Sequence, residues 1–286
     1  MSTRNPGKLP LPQGAAPKTG AAFLALAGYL ARAQVRPALL WGLALGALSA
    51  LTVVIFPTVR DSMDLSAYLE GFPPEMIALF GLEAETALDT AEGWLATQIF
   101  NMWAPLALTF YPILLGANAI AGAEERGRLD MLLSNPLPRW GLVMGSAVAM
   151  LFGLLLSLLV LGLMTWLPAK LVGLELSLAA TAAAVLNLLP LGLFFGALAL
   201  LLSALLRRAV LAVALPAALL VVMYFGNALA GLSEALGPAR PLSLFHYYGS
   251  AIEEGLSWPS FGLILLLALT LALLAVAAFN RRDIYS

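Results

Sequence analysis

The chain has 286 residues, 61% of them apolar and only 11% charged, against about 45–50% and about 25% in a soluble globular domain. Fifteen Lys and Arg face sixteen Asp and Glu, so there is no overall basic field of the kind that binds nucleic acid. With no cysteine and one histidine, His246, disulfide frameworks, zinc and iron–sulfur sites and cysteine nucleophiles are excluded or close to it.

In chain order, residues 1–18 are rich in Pro, Gly and Ala with Arg4, Lys8 and Lys18, a composition too poor in apolar side chains to pack, and they read as a disordered basic tail on the cytosolic side. Residues 19–36 set Phe23, Leu26, Tyr29 and Leu30 against Arg32, Gln34 and Arg36, the pattern of a helix lying in the inner membrane interface. Pro37 is expected to stop it. A first span follows at about 38–56, with Gly42, Gly46 and Ala50 forming a small-residue stripe, suited to packing within the chain or to a dimer seam.

The loop from Arg60 to Glu92 carries eight acids and one arginine and reads as a solvated outer face, a cation-attracting vestibule being the alternative. A short helix is expected over Pro74 to Phe80. The second span, about 95–121, is the most polar: at 100° per residue Gln98, Asn101, Pro105, Thr109 and Pro112 fall within an arc of about 80°. That face either lines a translocation route, with the prolines permitting bending, or packs against another helix. Asn118, Asn187 and Asn227 read as lone amides that make interhelical hydrogen bonds.

Between spans two and three, Leu129, Leu132 and Leu133 share one helical face, charge precedes them and Pro136 ends the element. This suits a short amphipathic helix that docks on a soluble partner, or one held only by lipid. Further spans are expected at about 141–167, 177–206, 209–231 and 261–279. Before the last, Phe245, His246, Tyr247 and Tyr248 precede Glu253 and Glu254; a structural interfacial role is favoured over surface catalysis.

With the N-terminus cytosolic, inner segments hold twelve of the fifteen basic residues and outer ones only Arg60, Lys170 and Arg240. The positive-inside rule then gives six spans with both termini cytosolic in an all-α membrane protein. The spans contain no Asp, Glu, Lys, Arg or His, which disfavours ion coupling by buried charges. No G-x-x-x-x-G-K-[ST] phosphate loop, H-E-x-x-H or G-x-S-x-G motif is present. If the chain performs work, its energy comes from a partner.

The run Ala123-Glu124-Glu125-Arg126-Gly127-Arg128-Leu129, then Leu132-Leu133-Ser134-Asn135-Pro136 and Arg139, resembles the permease subunits of ABC transporters, in particular the six-span type 2 exporter class. Phe72 to Gly81, Leu242 to Tyr248 and the ending Phe279 to Ile284 look like the same family. Arg128 stands where threonine is usual, and Ser146 where a lysine often follows glycine. The resemblance implies that Glu124, Glu125, Arg126, Gly127, Arg128, Leu129, Leu132, Leu133 and Pro136 contact an ATPase, beside a connecting helix bearing Arg32 and Arg36. It also implies two separately encoded ATPase subunits, which carry ATP and Mg, and a second membrane subunit in a homodimer or similar heterodimer. The chain itself is expected to carry no cofactor and no catalytic site. Two alternatives remain at this level: a non-transporting ABC complex for signalling or envelope work, and a membrane enzyme with surface chemistry near His246.

Overall fold

The computed structural model describes residues 19–62, 73, 76, 88–127, 139–231 and 236–282. Among these residues every regular element is helical. Five helices are long and apolar enough to cross a membrane, or six if a bent pair counts as one span.

α1 runs unbroken from Thr19 to Ser62, 44 residues with Pro37 and Pro57 inside it, a length of about 66 Å. The expected stop at Pro37, and with it a separate interfacial helix over 19–36, is corrected here. Proline takes the hydrogen bond from the carbonyl four residues back, and that residue, Ala33, is exposed, so its carbonyl can find a donor outside the helix. The rest of α1 is held by its neighbour α5 (Arg139–Leu171). Phe23 stacks on Trp140 with centroids 5.4 Å apart. Leu26 and Leu30 lie over Gly145. Ser157 Oγ donates to the Ala38 carbonyl at 2.9 Å, and the Ser49 and Thr165 hydroxyls share a buried hydrogen bond of 2.7 Å. The sequence offset is nearly constant along this series, so the two helices run parallel.

The second apolar segment is not one regular helix. Thr90 caps α2 (Ala91–Leu95) by accepting from the Gly93 amide, and a π-helical turn follows at Ala96–Phe100. After Asn101 and Met102, α3 (Trp103–Ala119) continues at a 40° bend. The Trp94 indole donates to the Thr52 carbonyl at 3.1 Å, which ties α2 to α1. A second break at Ile120 separates α3 from α4 (Ala121–Glu125).

α6 (Leu178–Leu205) is capped by Ser177 and is the most buried of the candidate spans. It packs against α3, α5, α7 (Ala209–Ala230) and α10 (Trp258–Arg281). Gly116 of α3 faces the α6 backbone so closely that an added Cβ would lie 2.8 Å from the Leu200 nitrogen; glycine alone permits this approach. The peripheral α7 and α10 turn Val222, Leu266 and Leu269 outward, as lipid-facing or subunit-facing helices do. Between them a 3-10 turn (Gly237–Leu242), α8 (Leu244–Tyr248) and α9 (Ala251–Glu254) fold over one end of the bundle. The expected helix over Pro74 to Phe80 lies outside the described residues except for Met76, whose amide donates to the Pro73 carbonyl at 3.0 Å.

A basic end organised around the EER sequence

Opposite ends of the bundle differ in charge. Arg60, Asp89, Glu92 and Glu175 line one polar pocket of about 520 Å³, with α9 and its Glu253 and Glu254 packed on α2 at the same end. The other end gathers Glu124, Glu125 and Arg126 with Arg139, Arg207, Arg208 and Arg282, brought together by the turn after α4, the start of α5, the α6–α7 connection and the foot of α10.

Each of the three charged residues at the end of α4 is bound to a different part of the chain. Glu124 Oε2 accepts from Arg282 Nη2 at 2.7 Å. Glu125 Oε1 accepts from the Ala209 amide at 2.9 Å, so a carboxylate caps α7, whose own cap residue, Arg208, offers no side-chain acceptor. Negative charge there also complements the positive end of the helix dipole. Arg126 Nη2 donates to Asn118 Oδ1 at 2.7 Å, and the same Asn118 amide donates to the Leu114 carbonyl at 2.7 Å. Gly127 then takes a φ of 63°, a left-handed turn that carries the chain out of α4.

The break at Ile120 is held by one hydroxyl. Ser203 Oγ of α6 donates to the Ala117 carbonyl at 2.9 Å and accepts from the Ala121 amide at 2.8 Å and the Ile120 amide at 3.3 Å. Groups that a continuous helix would pair internally are thereby satisfied by a neighbouring span, which fixes α4 against α6. Ser203, Arg139 and Arg282 are partners that motif reading passes over; Asn118, expected to bond between helices, instead donates within α3 and accepts from Arg126. Arg139 and Arg282 enter it only as basic residues or as parts of a family-like run, and Ser203 as one more small residue in an apolar helix.

Among the remaining sequence candidates, Arg128, Leu129, Leu132, Leu133 and Pro136, with the amphipathic helix expected there, lie outside the described residues. Arg32 and Arg36 are exposed on α1. Gly42 and Gly46 face α5, where added Cβ atoms would meet Val160 and Met164 at 2.9 Å, and Ala50 is half-buried on the same helix.

The regular spacing assumed for the polar arc of span two does not hold. The π turn and the bend at Asn101–Met102 break the 100° spacing that aligned it. Pro105, Thr109 and Pro112 are buried, with Pro112 seated on Gly192 and Gly196 of α6. Gln98 and Asn101 are half-buried in the π turn and at the bend. Pro105 stands in the first turn of α3, where its missing amide costs little, and the bend precedes it.

At the acidic end His246 is exposed and meets Tyr247 edge-on at 5.0 Å, while Glu253 accepts from Ser250 Oγ at 2.6 Å. A pocket of about 100 Å³ there includes Asn227, Tyr224, Phe245 and His246 in its wall. Asn227 Oδ1 is buried without a hydrogen-bond partner among the described residues, so the interhelical bond expected of Asn227 is not formed through that oxygen. The described residues contain no group of three His, Cys, Asp or Glu side chains placed to hold a metal.

No curated protein matches the chain. The family model described as ABC-2 family transporter protein matches residues 31–284, which takes in α1 from Ala31 onward, the whole basic end and α10. Apolar helices of membrane-spanning length, a charged end built on Glu124, Glu125 and Arg126, and a match over nearly the full sequence lead to one assignment: the chain belongs to the ABC-2 transporter family and is a multi-pass ABC permease membrane subunit.

Proposed function

We propose that this subunit exports a substrate across the cytoplasmic membrane, with the basic end and both termini in the cytosol, and that a separately encoded ATPase docks at that end. The observation that carries the reading is the anchoring of Glu124, Glu125 and Arg126 to α10, α7 and α3. A rigid base of this kind would let force applied to the segment after Gly127 reach several spans at once. The positive-inside bias of the sequence supports the orientation. Spans without ionisable residues support an external motor over an ion gradient. Two copies of this subunit, or one with a similar partner, would enclose the route between them, consistent with the outward apolar faces of α7 and α10.

Co-expression with a candidate ABC ATPase from the same genome tests the reading. The two are expected to co-elute and hydrolyse ATP. Leu132→Glu with Leu133→Glu is expected to abolish co-elution while the chain still inserts. Full co-elution of that variant would overturn the assigned contact, and substrate uptake into inverted vesicles on ATP addition checks the direction.

A further inference from the structure

Glu124 of α4, just before the segment that follows Arg126, and Arg139, where α5 begins, are both bound to the same residue. Glu124 Oε2 accepts from Arg282 Nη2 at 2.7 Å. Arg139 Nη1 donates to the Arg282 backbone carbonyl at 2.8 Å. The second arm of the Arg282 guanidinium, Nη1, donates to the Ala204 carbonyl near the end of α6 at 3.3 Å. The pair is well shielded, the Arg282 side chain being 14% exposed and that of Glu124 34%, so it is screened less than a surface ion pair.

Arg282 is placed for this by the end of its helix. α10 stops at Arg281, and Arg282 is extended at φ −78° and ψ 123°, which turns its side chain back under α6. Its neighbour Arg281 is exposed. Two adjacent arginines that are equivalent as sequence therefore differ in role, one facing outward and one closing a four-way junction of α4, α5, α6 and α10. A guanidinium suits this junction because its planar fork serves two acceptors at once, whereas an ammonium is a single point charge.

We propose that Arg282 is a positioning residue that clasps both ends of the ATPase-facing segment to the foot of α10, so that the last span moves with that segment. The proposal rests on the reading that an ATPase docks there. Its physical core, the clasp, is testable without the ATPase. Hydrogen exchange of the full chain in lipid nanodiscs is expected to rise roughly tenfold in peptides covering 120–127 in Arg282→Ala, which removes the Glu124 and Ala204 contacts, and in peptides covering 139–143 in Arg139→Ala, which removes the bond to the Arg282 backbone carbonyl, as local opening becomes easier. Peptides from the middle of α6 report that the variant is folded and are expected to be unchanged. Arg281→Ala removes the same charge without touching the junction and is expected to leave exchange as it was. The swapped pair Glu124→Arg with Arg282→Glu is expected to restore slow exchange only in part, because a carboxylate cannot donate to the Ala204 carbonyl, and Arg282→Lys to give an intermediate rate. Unchanged exchange in Arg282→Ala, or an equal rise in Arg281→Ala, would overturn the clasp.

In a second arm the purified ATPase is titrated onto each variant. Affinity is expected to fall in Arg282→Ala and return in part in the swapped pair. Raised exchange with unaltered affinity would overturn the claim that the clasp presents the segment. A wild-type chain that binds no ATPase would instead refute the functional reading, while the exchange comparison still decides the clasp.

Discussion

The Asn187 side-chain amide of α6 donates to the backbone carbonyl of Tyr248 at 2.7 Å, in the short helix that folds over the acidic end. Tyr248 in turn donates its hydroxyl to the Phe100 carbonyl at the end of the π turn, at 2.9 Å. Burial pushes the Tyr248 phenol up from its ordinary value, so it stays protonated and donating throughout the physiological range. Tyr248→Phe strips the Phe100 carbonyl of this donor and is expected to lower stability by about 1–2 kcal/mol, and Asn187→Leu by about 1–3 kcal/mol. Thermal unfolding in detergent measures both, and because both bonds hold the same short helix the double variant should lose less than the sum.

Glycines that look alike in sequence should differ sharply on substitution. Gly116→Ala drives a methyl group into the α6 backbone at Gly196 and Leu200, where nothing yields, and is expected to cost about 1–3 kcal/mol. In Gly145→Ala the methyl group meets only the Leu26 and Leu30 side chains at 3.3 Å or more. That variant is expected to be neutral or stabilising by up to about 1 kcal/mol through helix propensity. Comparing their unfolding midpoints under one set of conditions checks the contrast.

Ser203→Ala removes the hydroxyl that bridges the break at Ile120. Two amides and a carbonyl then lose a partner, and a loss of about 1–3 kcal/mol is expected. Faster hydrogen exchange at Ile120 and Ala121, with the middle of α3 unaffected, would identify the loss as local.

Glu125→Ala uncaps α7 and is expected to cost about 0.5–2 kcal/mol. Glu125→Gln keeps an acceptor oxygen and should lose only the charge contribution, about 0.3–1 kcal/mol. Exchange in the first turn after Arg208 distinguishes the two.

Membrane class and helical architecture were legible because they rest on long-range averages: hydropathy over whole spans, and charge sorted between their ends. The failures lie where a local rule met a tertiary partner. Pro37 reads as a stop, yet α1 passes through it because Ala33 is exposed and α5 supports the helix on both sides. The polar arc from Gln98 to Pro112 assumes a regular helix, and a π turn invalidates the spacing. At the basic end the pattern located Glu124, Glu125 and Arg126, but their partners Arg282, Ala209 and Asn118 are 158, 84 and 8 residues away. No periodicity encodes such distances; they arise only when six segments converge at one end.

The parallel pairing of α1 and α5 from Phe23–Trp140 to Ser49–Thr165 extends over about 40 Å. Helices locked side by side over that length resist sliding and tilt together, as a stiff beam does. α5 begins at Arg139, so a push there enters the beam at its foot. A tilt of about 10° carries its far end sideways by about 7 Å. That far end, near Phe56 and Arg60, lies beside Glu92 and Glu175 in the wall of the acidic pocket. Were an ATPase to rotate the foot of this beam, the wall that Phe56 and Arg60 give to the acidic pocket would move with it, without bending any helix along the way.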